Sequence, residues 1–230
     1  LKQRLRAPAG RPARGVPLQS AAGRASTPRP MMAQGLLGEN PRAGAYGTWA
    51  LALAYMGPGI PLLATYVWGF LVLNDRYPKG GAMKLWGHIN DPGNEWLLNI
   101  YFVSIGLATI GYFPALCYAL RIAPELPRQL VNRICAAFAV FYFTELFWMP
   151  MCVAYIATPS TWLYVLLRLQ LAVSGISGLC WAYLKVAAVP AEVAEKAGPC
   201  LRIAGQVGTC LFAFHCAVLD ATIWPPMFKQ

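Results

Sequence analysis

Two long apolar runs, joined through residues 158–161, constrain this chain more than any other feature of its sequence. They occupy residues 134–157 and 161–184, and each is long enough to cross a lipid bilayer as a helix. The first run carries one acid, Glu145, and the second run carries one base, Arg168. Because a lone charge is costly inside a membrane, we expect these two side chains to be partners within a helix bundle.

The composition extends this interpretation to the rest of the chain. The 230 residues are 57% hydrophobic and only 12% charged, with a mean hydropathy of +0.46, which is far from the norm for soluble domains. The sequence therefore predicts an all-α polytopic membrane bundle over residues 43–230. Charge-poor segments predict five transmembrane helices, with approximate bounds of 48–73, 96–120, 134–157, 161–184 and 201–224.

Local signals add detail to these spans. Residues 57–61, Gly-Pro-Gly-Ile-Pro, predict a kink or a short unwound turn in the first span, because Pro and Gly interrupt regular helix. Residues 74–95 are rich in turn formers and predict a loop at one membrane surface, with His88 as an interfacial side chain. In the fourth span, small residues recur every four positions and predict a surface where another helix approaches closely: Ser174, Gly178 and Ala182.

The positive charge is concentrated at the amino end. Eight of the nineteen Lys and Arg residues lie within residues 1–42, where residues 1–38 contain no acid, so the net charge of +10 does not indicate nucleic-acid binding. This composition is typical of an organelle-targeting segment, with a mature start near Met31. Frequent Pro and Gly disfavour the amphipathic helix of a mitochondrial presequence and favour a plastid type. A retained arm on a neighbouring subunit, or a basic tail near anionic lipid, are the alternatives.

Charge asymmetry predicts the orientation of the bundle. With five spans, the amino-terminal segment shares one side with residues 121–133 and 185–202, and this side holds fourteen Lys and Arg residues against four on the other. The positive-inside rule then places the amino end in the stroma, matrix or cytosol. The carboxyl end is expected in the lumen or intermembrane space.

Four ionisable residues are expected to form an intramembrane polar cluster: Glu145, Arg168, His215 and Asp220. At ~1.5 Å per residue all four fall in the half of the membrane nearer the carboxyl end. A polar clasp that fixes helix packing, a proton or ion path, and a site for the head group of a lipid or other hydrophobic ligand all fit this cluster.

His215 has a further possible role, because an imidazole in an apolar bundle can be the axial ligand of a tetrapyrrole metal such as that of chlorophyll. The alternative is a histidine that is hydrogen-bonded in the core or to Asp220. Catalytic motifs, phosphate loops and metal-ligand spacings are not found, so the sequence does not indicate an enzyme. The seven cysteines fall in or beside apolar runs without a Cys-x-x-Cys pair and are expected to be inert core thiols.

A few positions are loosely similar to translocator proteins of the tetrapyrrole-binding type. The similarity consists of five helices, a long first loop, the pair Trp148 and Pro150, and an acid, Asp220, before Trp224. The first loop lacks the Pro- and Trp-rich entrance to the second helix of such proteins, and the fourth connection is longer. Because of these departures, the resemblance does not identify the family.

The sequence as a whole favours an accessory, non-catalytic subunit of a multisubunit organellar membrane complex. A plastid thylakoid complex of photosystem type is preferred to one of the mitochondrial inner membrane. Chlorophyll, carotenoid and structural lipids would be its ligands, and other integral subunits would be its partners. The alternative from a different class is a small translocator-like carrier or receptor for a lipid, a tetrapyrrole or an ion.

Overall fold

The computed structural model describes residues 41–228, which are 87% helical and contain no β-strand. The predicted arm or targeting segment, including a mature start near Met31, therefore lies outside the described residues except for its last two positions. Eight α-helices are present in the described part: α1 Gly44–Met56, α2 Gly59–Arg76, α3 Glu95–Ile122, α4 Arg128–Ala157, α5 Thr161–Val186, α6 Ala191–Glu195, α7 Pro199–Phe214 and α8 Trp224–Phe228.

Three further helical segments complete the described chain. Two are 3₁₀-helical, Gly81–Asn90 and Ala123–Glu125, and one is π-helical, His215–Ile223. Adjoining helices combine into five segments that are long and apolar enough to span a membrane: Gly44–Arg76, Glu95–Glu125, Arg128–Ala157, Thr161–Val186 and Pro199–Phe228. The prediction of an all-helical bundle with five candidate spans is confirmed.

The first span is broken where the sequence predicts a break. α1 ends at Met56 and α2 begins at Gly59, so the interruption lies at Gly57 and Pro58. Proline has no N–H to continue the hydrogen-bond ladder, and its ring clashes with the preceding turn. The two halves of the span can therefore follow different directions.

The spans form a ring in which α3 packs along α7, α7 and the π-helical segment pack along α5, and α5 packs along α4. α1 contacts both α4 and α3, whereas α2 packs against α4 and makes few contacts with α3. Gly111 on α3 and Gly208 on α7 approach each other closely, and a Cβ built on Gly111 would lie 2.8 Å from the Cα of Gly208. The ring is thus tight between α3 and α7 and loose between α2 and α3.

The small-residue surface predicted on the fourth span contacts the fifth span, although at shifted positions. A Cβ on Gly175 would lie 3.1 Å from the Cα of Ala217, and one on Gly178 would lie 3.7 Å from the Cβ of Cys216. The Ser174 hydroxyl is instead hydrogen-bonded to Glu145. The close approach was therefore predicted correctly, but its centre is Gly175.

The two ends of the bundle are closed differently. At the amino-terminal end, the carboxylate of Glu125 is 3.2 Å from the Arg42 guanidinium and 2.8 Å from the Lys196 amine. These ion pairs join three connections that the predicted charge asymmetry places on one side.

Four of the seven cysteines are exposed on the bundle rather than buried, which corrects the expectation of core thiols: Cys117, Cys180, Cys200 and Cys210.

At the opposite end, the 3₁₀ segment of residues 81–90, hereafter the 81–90 segment, folds against α8. The indole N–H of Trp224 donates to the carbonyl of Leu85 at 2.9 Å. Gly87 has φ of +48°, and a Cβ there would lie 2.8 Å from the Cα of Phe228, so the contact requires glycine. Residues expected to form a surface loop are therefore an ordered cover over this end. His88 lies on that cover with Nδ1 2.7 Å from the Asp91 carboxylate.

Candidate functional site

Two adjoining cavities lie in the half of the bundle beneath the 81–90 segment. Their volumes are about 330 Å³ and 470 Å³. Five residues line both cavities and mark their boundary: Tyr66, Ile105, Glu145, His215 and Asp220. Three of the four residues that the sequence predicted as a polar cluster are therefore brought together at one site, and each faces open space.

Seven of the fifteen described residues that line the larger cavity are Phe, Tyr or Trp. They come from α2, the 81–90 segment, α3, α4 and α8: Tyr66, Phe70, Trp86, Tyr101, Phe102, Trp148 and Trp224. The smaller cavity continues toward the break in the first span and is lined there by Leu62, Tyr112 and Phe141. This combination of an apolar wall with a few convergent polar groups is typical of small-molecule sites.

The cavities open sideways, where α2 and α3 make few contacts. Lining residues at this gap remain exposed, with Phe70 on α2 at 42%, and Phe102 and Phe113 on α3 at 50% and 63%. These rings would face acyl chains rather than water in a bilayer. The site is thus accessible from the hydrocarbon phase.

The Glu145 carboxylate is held by donors from two other spans. The Tyr66 hydroxyl of α2 donates to Oε2 at 3.3 Å, and the buried Ser174 hydroxyl of α5 donates to Oε1 at 2.5 Å. A carboxylate with a donor on each oxygen has a fixed position and compensation for part of its burial cost. Glu145 is therefore a preorganised acceptor at the boundary of the two cavities.

The π-helical segment brings His215 and Asp220 together. In a π-helix the repeat is i to i+5, so these two residues lie one above the other, whereas five positions along an α-helix lie well apart around the axis. His215 Nε2 is 3.4 Å from Asp220 Oδ2, and Nδ1 is 3.0 Å from the Ser104 hydroxyl on α3. The imidazole therefore has a polar partner on each ring nitrogen, which matches the alternative of a hydrogen-bonded histidine.

Axial ligation of a tetrapyrrole metal by His215 would require one of these two contacts to be given up. Separately, the described residues contain no group of three His, Cys, Asp or Glu side chains that could hold a metal ion by themselves. The site consists of the carboxyl groups of Glu145 and Asp220 beside the His215 imidazole, in cavities with many aromatic residues. Such a site can bind and orient a ligand, and it can exchange protons through His215 and the two acids.

Arg168 does not join the other members of the predicted cluster. Its side chain is exposed on α5, with the guanidinium 5.9 Å from the ring of Tyr164, and within residues 41–228 it forms no ion pair. The partnership expected between Arg168 and Glu145 is not present, because Arg168 is exposed whereas Glu145 lines the two cavities. Tyr66 and Ser174 occupy the positions around Glu145 instead.

Lys185 is a basic side chain that is buried in the bundle. It is 1% exposed, donates to the Ala115 carbonyl at 2.7 Å, and lies 4.8 Å from the ring of Trp181. The rings of Tyr55 and Tyr118 are 5.2 Å and 5.7 Å from the amine. The predicted charge asymmetry counts Lys185 in a surface connection, whereas the structure buries it within α5. This corrects the prediction and removes one positive charge from the count on that side.

No protein family, curated protein or solved structure matches the chain. The similarity to translocator proteins stays an observation on a few residues of the sequence. The function must therefore be argued from the geometry of the site.

The sequence did not single out Tyr66 or Ser104, and it indicated Ser174 only as part of a small-residue surface. A serine hydroxyl in a helix often bonds to its own backbone, whereas the hydroxyls of all three residues act across a helix interface. Their positions along the sequence therefore did not indicate a shared site. Glu145, Asp220 and His215 could be predicted from the sequence because an ionisable residue in an apolar run is rare.

Proposed function

We propose that this protein is a membrane receptor or carrier for a hydrophobic small molecule. The observation that carries the proposal is the pair of aromatic cavities, about 470 Å³ and 330 Å³, that open between α2 and α3. Binding pockets for small ligands have volumes in this range and mostly apolar walls. Of the ligand classes indicated by the sequence, a lipid-like or other lipophilic molecule suits this wall best.

The route of access supports a lipophilic ligand. A molecule dissolved in the bilayer would pass Phe102 and Phe113 without entering water, because these exposed rings border the gap between α2 and α3. A water-soluble ligand would instead have to pass the 81–90 segment. Trp224 and Gly87 hold that segment against α8.

The polar boundary supports binding in one orientation. Glu145, His215 and Asp220 lie between the two cavities, and the remainder of the wall is mostly apolar. A ligand with one polar group and one or two apolar parts would place the polar group at this boundary. Apolar burial would then supply most of the affinity, and the polar group would set the orientation.

Energy transfer from tryptophan to a dansyl fluorophore tests the proposal. The purified protein is placed in nanodiscs of neutral phosphatidylcholine and titrated with N-pentyl dansylamide, a neutral lipophilic probe. Trp86, Trp148 and Trp224 line the larger cavity and would be efficient donors. We expect a saturable signal above the linear background from probe dissolved in the lipid.

Two substitutions on α3 separate cavity binding from partition into lipid. Ile105 lines both cavities, so Ile105→Trp would place an indole at their boundary, obstruct part of each cavity and weaken the saturable signal. Ile110 is 69% exposed and lines neither cavity, so Ile110→Trp would add the same fluorophore and leave saturable binding unchanged. Equal binding by both variants, or the lack of any saturable component, would refute the proposed function.

A second candidate is the subunit role indicated by the sequence, in which the bundle belongs to a multisubunit organellar complex. One observation favours it: the most apolar window of the first span is only 11% buried, against 28–33% in the other four spans. An uncovered span is a suitable surface for a neighbouring subunit or for lipid. Chlorophyll and carotenoid are pigments that such a complex would contribute.

The cellular location belongs with this second candidate. A plastid thylakoid, with the amino end in the stroma, is proposed ahead of the mitochondrial inner membrane, and its support is the basic, Pro-rich composition of residues 1–42. Extraction in mild detergent followed by native electrophoresis tests the subunit role. Recovery of the chain only as a free monomer would reject it.

A further inference from the structure

The lining of the two cavities contains acidic side chains that no Lys or Arg of the described lining residues balances. Glu145 and Asp220 line both of them, and none of the described residues that line either cavity is Lys or Arg. The nearby base is His215, which already contacts Asp220 and Ser104. Two acids that face a cavity without a Lys or Arg partner favour a positively charged group there over a negatively charged one.

The two acids differ in how fully they are satisfied. Glu145 has a donor on each oxygen, from Tyr66 and Ser174. Among the described residues, Asp220 has a single polar contact, the 3.4 Å approach of His215, and its side chain remains 33% exposed because it faces the cavities. A carboxylate can accept about four hydrogen bonds, so Asp220 retains most of its capacity for a donor in the cavity.

The wall around these acids is suited to a cation. Rings of Tyr66, Trp86, Tyr101 and Trp148 line the larger cavity, and the faces of such rings attract ammonium groups. Aromatic walls combined with a carboxylate recognise organic cations in which an apolar body carries the charge. The aromatic wall or the carboxylate alone does not specify the ligand, but together they favour a ligand with a positive charge.

We propose that the cavity ligand is a hydrophobic amine, whose ammonium group contacts the Asp220 carboxylate at the boundary of the two cavities while its apolar body lies among the aromatic rings. This inference rests on the proposed function and names its ligand class. Glu145 contributes a second negative charge beside the ammonium group. Lipophilic anions, including tetrapyrroles with free carboxylates, are disfavoured because two acids face them.

Three dansyl probes of matched shape test the sign of the charge. Dansylcadaverine carries an amine on a five-carbon arm, N-pentyl dansylamide is neutral, and dansyl-6-aminohexanoic acid is an anion. Each is titrated against the full chain in nanodiscs of neutral phosphatidylcholine, with energy transfer from tryptophan as the signal. We expect the amine to bind about tenfold tighter than the neutral probe, and the anion to bind weakest.

Substitutions assign the preference to the acids. Asp220→Asn and Glu145→Gln keep the shape of the side chain and remove its charge, so each should bring the affinity of the amine close to that of the neutral probe. Saturable binding of the neutral probe, at whatever affinity, shows that the cavity of each variant is still folded, and the ratio of the two affinities within each variant is the readout. Glu192 is exposed and lines neither cavity, so Glu192→Gln is the matched control and should change nothing.

The possible results separate the two proposals. If the neutral probe binds and the amine binds no tighter, or if the preference survives in both variants, the amine inference is wrong and the proposed function stands. If no probe gives a saturable signal, the proposed function is wrong and the inference falls with it. Tightest binding by the anion would overturn the inference directly.

Discussion

The glycine contact between α3 and α7 gives a sharp test of the packing of the bundle. Gly111 on α3 and Gly208 on α7 meet backbone to backbone, and a Cβ on Gly208 would lie 2.9 Å from the Cα of Gly111 and still closer to its carbonyl oxygen. Ordinary Cβ contacts lie at 3.4–4 Å. We therefore expect Gly208→Ala to force the two helices apart, because a backbone cannot move aside as a flexible side chain can.

The magnitude can be worked from two opposing effects. Overpacking in a close-packed interior costs about 1–3 kcal/mol, and this contact belongs at the upper end because two backbones collide. Alanine stabilises a helix over glycine by about 1 kcal/mol, which offsets part of that cost. We expect a net loss of ~2 kcal/mol in the free energy of unfolding.

Gly106 on α3 supplies the control, because nothing lies within 4 Å of a Cβ built there. Gly106→Ala should show the helix-propensity gain alone, a stabilisation of about 1 kcal/mol. The two variants should therefore differ by about 3 kcal/mol in the free energy of unfolding, measured by steric trapping in bicelles. A difference below about 1 kcal/mol would refute the packing of α3 against α7 described above.

Three further predictions concern other parts of the bundle. Ser160→Ala removes the cap that accepts from the Leu163 N–H, and should lower the free energy of unfolding by about 1 kcal/mol in the same assay. Lys185→Ala leaves a void among packed rings and should cost roughly 2–5 kcal/mol, whereas the volume-conserving Lys185→Met should cost under about 1.5 kcal/mol; equal losses would contradict this. Trp224→Phe removes the hydrogen bond to Leu85 at a cost of roughly 1–2 kcal/mol, and should increase hydrogen exchange in the 81–90 segment; unchanged exchange would contradict that contact.

The five candidate spans were predictable because bilayer thickness sets a simple length for an apolar run. The break at Gly57 and Pro58 was equally predictable, since it depends on covalent properties of two residues. Both signals are local. Neither depends on which helices are neighbours, which explains why the spans were found although their arrangement was not.

Arg168 and Lys185 show that the sequence of a single span does not reveal which of its side chains are buried. Arg168 lies in the middle of an apolar run and was expected in the core, yet it is exposed, while Lys185 lies at a helix end and is buried beneath Trp181. Position along a span gives depth in the membrane. It does not give the face of the helix, which depends on the neighbours, and nearly uniform apolar composition leaves little periodicity to reveal that face.

The site was predicted in part for the same reason. Glu145, His215 and Asp220 were singled out as ionisable residues within apolar runs, and they do line the cavities. The cavities themselves could not be predicted, because they arise from the divergence of α2 from α3. The aromatic wall was not predicted either, since Trp and Tyr near the ends of spans are common as interfacial anchors.

The π-helical stretch between His215 and Ile223 lets the last span carry one more residue than an α-helix would over the same turns. Deleting one residue between His215 and Asp220 would leave them four positions apart, and an ordinary α-helical repeat would then keep both on one face. With the natural spacing of five, an α-helix would instead turn the carboxylate well away from the imidazole. The wide turns therefore let the span hold a surplus amino acid while the polar centre and the contact of Trp224 with Leu85 both form.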